Sequence, residues 1–84
     1  MLFNSEKKVI IESMSTEEAK AFLAFLSMER QRHENEEKMA ELQAYNNHSN
    51  TAYREFWQTA VIRHQQDISD IDRLVPRVKE MYGL

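Results

Sequence analysis

The clearest pattern in the chain lies toward its C-terminus, where Trp57, Val61, His64, Ile68, Ile71, Val75, Val78 and Tyr82 succeed one another at alternating spacings of four and three residues. That is a sustained heptad stripe, which keeps one side of a helix turned toward a partner. Phe56, Ala60 and Leu74 widen it, as expected where a helix meets more than one neighbour. We read Trp57, Val61, His64, Ile68, Ile71, Val75 and Val78 as an oligomer seam on a helix over 51–82. Pro76 falls inside this run. A proline removes one ladder hydrogen bond and crowds the carbonyl four residues back, at about 3 kcal/mol in a helix interior, so a kink or break is expected near 72–76.

A second apolar pattern precedes it. Ala19, Phe22, Leu23 and Leu26 repeat at helical spacing, and Met39, Leu42 and Tyr45 resume the repeat after a polar interval. The start is marked by Ser15-Thr16-Glu17-Glu18, which has the form of a capping box: a hydroxyl for the first free amides and a carboxylate three residues on to reach back. This predicts a helix over 15–45. Asn46 to Asn50 is the one obvious loop, with Ser49 or Asn50 able to cap the second helix. The expectation is an all-α fold, a long helical hairpin forming a single domain over 1–84. Residues 1–14 form an arm in which "KKVIIES" suits either a short strand or a short helix.

Between the two apolar parts of the first helix lies "RQRHENEEK", Arg30 to Lys38, which has no apolar side chain. Pairs at i, i+4 such as Arg30 with Glu34, Arg32 with Glu36 and His33 with Glu37 support a helix there. Continuing the spacing of Phe25 and Met28 through to Met39 and Leu42 places Arg32 and Asn35 on the same stripe. A polar layer of that kind fixes register between helices or offers a recognition surface. Arg30, Arg32, His33, Asn35 and Glu36 are therefore the candidate partner-binding residues.

Composition supports this picture and narrows the chemistry. There is one Gly, at 83, and one Pro among 84 residues, so turns and bulges are scarce and the chain is nearly all helix. Glycine at only one position also leaves no P-loop, dinucleotide-binding turn or nucleophile elbow. His64, Asp67 and Ser69 do not converge as a triad, and no Glu-x-x-His pair of a di-iron bundle is present, so no enzyme is expected. "HENEE" matches the zinc-protease string only until Glu37 stands where the second histidine belongs, and no metal or cofactor is expected. Cysteine is absent, which favours a cytoplasmic setting and leaves self-association as the source of added stability for a small core. A net charge of −3 does not favour nucleic acid, and no apolar run is long enough for a membrane.

The function expected is that of a small non-enzymatic oligomeric helical protein acting by protein–protein binding, as an adaptor, inhibitor or regulatory subunit. Its partners would be itself, as a dimer or higher oligomer forming a helical bundle, and another protein. The alternative is an oligomeric binder of a small anionic ligand such as a nucleotide. There Arg73, Arg77 and Lys79 would clamp the anion while Tyr82 or Trp57 stacked on a ring.

Overall fold

The structure is a computed structural model that describes residues 12–84. It contains two long antiparallel helices, α1 (Thr16–Asn46) and α2 (Thr51–Tyr82), and no strand among the described residues. The strand or helix expected within 1–14 falls mostly outside them. At ~1.5 Å per residue, helices of 31 and 32 residues are about 46–48 Å long. The described residues extend 51 × 21 × 14 Å, a rod rather than a globule.

Each helix end is closed by local chemistry. The Ser15 hydroxyl accepts from the Glu18 amide at 3.1 Å, and the Glu18 carboxylate accepts from the Ser15 amide at 3.0 Å, so the capping box forms in both directions. Those bonds hold the Glu18 carboxyl below its ordinary range, that from the Ser15 backbone most of all. α1 runs one residue past the expected end, to Asn46, and turns without left-handed geometry: Asn47 has φ −111°. Its side-chain amide instead donates to the Gln43 carbonyl at 2.7 Å. Asn50 caps α2 by accepting from the Tyr53 amide at 3.2 Å, and Arg54 donates back to the His48 carbonyl at 3.2 Å. At the far end Gly83 takes φ +66°, which lets the Leu84 amide reach the Lys79 carbonyl at 2.8 Å. This is a Schellman stop, and only glycine adopts that backbone without steric cost.

α2 is one continuous helix through Pro76, so of the kink or break expected near 72–76 the break does not occur. Val75 and Val78, on either side of the proline, keep phase with the buried stripe, and that packing holds the helix together across the missing hydrogen bond.

Packing between the helices obeys one stagger. His33 faces His64 and Ala19 packs with Val78, so the same register sets Leu26 level with Ile71 and Ala40 level with Trp57. The inner face of α1 is thus Ala19, Leu26, His33 and Ala40, a strict seven-residue repeat, and all four are buried. On α2, Ile71 and Val78 are fully buried within the hairpin, while Trp57, Val61, His64, Ile68 and Val75 are half-buried. Ala19 and Ala40 are thereby set against the bulkier Val78 and Trp57, while Leu26 meets Ile71 and His33 meets His64. Met39, Leu42 and Tyr45, expected to continue the seam of α1, point outward instead and are exposed, as are Phe25 and Met28. Their spacing is regular, but they lie on the flank and back of the helix relative to Leu26.

Candidate functional site

Midway along the rod the apolar core gives way to a polar layer built on His33, which is only 5 % exposed. Its Nδ1 lies 2.9 Å from Nδ1 of His64, the rings 5.2 Å apart between centroids. A bond between two ring nitrogens needs one proton between them. The surroundings assign it. His64 Nε2 lies 3.3 Å from the Glu36 carboxylate and so carries its proton there, leaving Nδ1 of His64 as acceptor and Nδ1 of His33 as donor. His33 Nε2 then has a lone pair toward Arg32 Nη2, at 3.4 Å. Asp67, one turn beyond His64, brings a carboxylate oxygen to 3.7 Å from His33 Nδ1.

Arg32 organises the outer side of this layer. Its guanidinium donates to both oxygens of Glu29, at 3.3 and 2.8 Å, and to Glu36 at 2.8 Å. Glu29 is held below the ordinary carboxylate range by those bonds first, against an opposing effect of burial. The same two glutamates push the arginine further toward its charged form. Two cross-helix polar contacts flank the layer. Arg30 grips Asp72 in a fork, Nε to Oδ1 at 2.7 Å and Nη2 to Oδ2 at 3.1 Å, and also pairs with Glu34. That fork lowers the Asp72 carboxyl and raises the Arg30 guanidinium. Gln65 donates to Glu37 at 3.0 Å. No buried side-chain nitrogen or oxygen among the described residues lacks a partner.

The candidate partner-binding residues therefore divide. His33 turns inward, and Glu37, expected as its i+4 partner, bonds across to α2 instead. Arg32 and Asn35 are exposed, while Arg30 and Glu36 are half-buried at the edge of the layer. Asn35 accepts from Gln31 at 3.1 Å.

The candidate anion-binding residues do not all meet. Arg73 is exposed and donates to Asp70 at 2.6 Å, Arg77 and Lys79 are exposed, and Tyr82 packs beside the Ala19–Val78 contact. Trp57 stands near the opposite end of the same continuous helix. At ~1.5 Å per residue it is about 37 Å from Tyr82.

Comparison with protein-family models, curated proteins and solved structures finds no match to the chain. No helix among the described residues is long and apolar enough to cross a membrane.

Sequence reasoning set Asp67 on one helix side with His64 but did not find the pairing of His33 with His64, Glu29 beside His33, or the fork of Arg30 with Asp72. A signal was available: His33 and His64 stand equally far from the centre of the turn, so an antiparallel hairpin sets them level. Arg32 and Asn35, which share a stripe with Phe25 and Met28, lie on the exposed side of α1.

Proposed function

We propose that this chain is a non-enzymatic assembly protein that works by binding protein through the outer face of α1, its first partner being a second copy of itself. The observation that carries the reading is the exposed stripe Phe25, Met28, Arg32, Asn35, Met39 and Leu42. The four apolar members are 51–71 % exposed and recur at heptad spacing. Helices present such a stripe to another helix, and a row of this length left in water favours association.

The order of residues in the stripe favours a copy of the same chain. Phe25 and Leu42, Met28 and Met39, and Arg32 and Asn35 are each placed symmetrically about the point between His33 and Glu34. Two α1 helices crossing antiparallel on a two-fold axis there would set Met28 against Met39 of the partner subunit, and Arg32 against Asn35 of the partner subunit. A two-fold interface requires this reciprocity. The polar pair at the centre would fix the register, and the product would be a four-helix bundle whose other faces remain for a regulatory or adaptor role.

Sedimentation at micromolar concentration tests the reading. The expected species has twice the 10.0 kDa chain mass, and Met28→Glu with Met39→Glu should convert it to a monomer of unchanged helicity. Cysteine substitution tests the geometry: M28C or M39C alone should not cross-link, whereas the double variant should form intermolecular disulfides. A monodisperse wild-type monomer, or a dimer indifferent to the two glutamates, would overturn it.

A further inference from the structure

We propose that His33, His64 and Asp67 form a binding site for one divalent transition-metal ion of the zinc class, clasping α1 to α2 at the middle of the hairpin. The inference is independent of self-association and uses no residue of the outer stripe as a ligand.

The donor atoms converge. One ligand atom from each of the three residues lies within 4.8 Å of the others, with Nδ1 to Nδ1 at 2.9 Å and His33 Nδ1 to Asp67 Oδ2 at 3.7 Å. Metal–ligand bonds of ~2.0–2.2 Å in a tetrahedron set neighbouring donors about 3.3–3.5 Å apart, so small side-chain rotations would seat an ion. Two imidazoles and one carboxylate are a donor set suited to zinc and its neighbours rather than to calcium or magnesium, which prefer oxygen. Three protein ligands leave a further position for water.

The surroundings match what ligating histidines require. A metal-bound imidazole commonly donates its remote N–H to a carboxylate, which fixes ring orientation and tautomer. Here the remote nitrogen of His64 faces Glu36 at 3.3 Å and that of His33 faces Glu29 at 3.9 Å. Both glutamates are held by the same Arg32. On metal binding the His33 proton moves from Nδ1 to Nε2, which requires Arg32 to give up its contact with that nitrogen and Glu29 to close in from 3.9 Å to accept the bond. Both Nδ1 lone pairs are then free for the ion, and no proton leaves the site. Charge favours a cation as well: Glu29, Glu36 and Asp67 surround the two rings, and Arg32 is the cation bonded to this group. A groove along α2 that includes Phe56, Thr59, Ala60 and Arg63 reaches two of the three ligands, His64 and Asp67.

The polar layer lies midway along the rod, where an ion would join the two helices. An ion bound there stabilises the folded state directly, because the donors meet only when the helices pair.

Cobalt(II) is the probe, since its visible absorption reports low-coordinate nitrogen and oxygen ligation. One equivalent should produce the band, and zinc should displace the cobalt and raise the melting temperature. Asp67→Asn and His64→Gln, at part-exposed positions, should abolish the band while leaving helicity intact. Glu29→Gln and Glu36→Gln should weaken binding roughly 10–100-fold. His48→Ala, in the turn, should change nothing. Absence of the band in the wild type would overturn the proposal, as would binding that survives His64→Gln and Asp67→Asn or is lost with His48→Ala.

Discussion

Leu26 and Phe25 are adjacent in sequence and have opposite fates, so truncating each in turn tests the packing of the hairpin. Leu26 is fully buried, level with Ile71 and between the Ala19–Val78 contact and the histidine layer. Leu26→Ala removes three carbons, worth ~0.8 kcal/mol each in transfer alone, and a cavity contribution adds to that. The groove shared by Leu26, Ile71 and Val75 opens to solvent and allows partial relaxation. We therefore expect a loss of about 3 kcal/mol, in the lower half of the usual ~2–5 kcal/mol for such changes. At roughly 4–8 °C per kcal/mol for a domain of this size, the melting temperature should fall by about 12–24 °C. Phe25, 53 % exposed, has at most half of a ~1.5–3 kcal/mol burial contribution to lose, and alanine regains part of it through helix propensity. Within one hairpin Phe25→Ala should cost less than about 1 kcal/mol. Urea unfolding monitored by far-ultraviolet circular dichroism, repeated over a hundredfold range of protein concentration, measures both. A Phe25→Ala cost that grows with concentration would locate Phe25 in the dimer contact. If Leu26→Ala costs under ~1 kcal/mol, or no more than Phe25→Ala at every concentration, the assigned inner face of α1 is wrong.

Asp72 is held below its ordinary carboxyl range by the Arg30 fork, so its contribution is present above the unfolded value of ~3.9 and is lost as pH falls through the lower folded value. Melting temperature should therefore drop between pH 5 and pH 2, Asp72→Asn should flatten part of that slope, and an equal slope in wild type and variant would contradict the fork. Pro76→Ala should stabilise α2 by about 1–3 kcal/mol, because the new amide can donate to the Asp72 carbonyl; a lower melting temperature would mean that the proline ring, not the missing bond, matters there. Ser15→Ala should cost roughly 0.5–2 kcal/mol and speed hydrogen exchange at the Glu18 amide, and unchanged exchange would show that the capping box is not formed in solution.

The elements themselves were determined by sequence. A near absence of Gly and Pro, a capping box at Ser15, an Asn-rich turn and a heptad stripe from Trp57 to Tyr82 define two helices and their reversal, because each signal is local and rests on the chemistry of a few consecutive residues. The tertiary structure decided which side of α1 meets α2. α1 carries two stripes: Ala19, Leu26, His33 and Ala40 on one side, and Phe25, Met28, Arg32, Asn35, Met39 and Leu42 on another. Hydrophobicity alone favours the second, since it contains the larger apolar side chains. The hairpin packs on the first, where Ala19 and Ala40 leave room for Val78 and Trp57 while Leu26 meets Ile71 and His33 meets His64, and complementarity of volume belongs to the pair of helices, not to either one. The histidine layer was hidden for the same reason. His33 meets His64 across 31 residues and Arg30 meets Asp72 across 42, and such partners are fixed only when turn length and helix stagger act together on the whole chain.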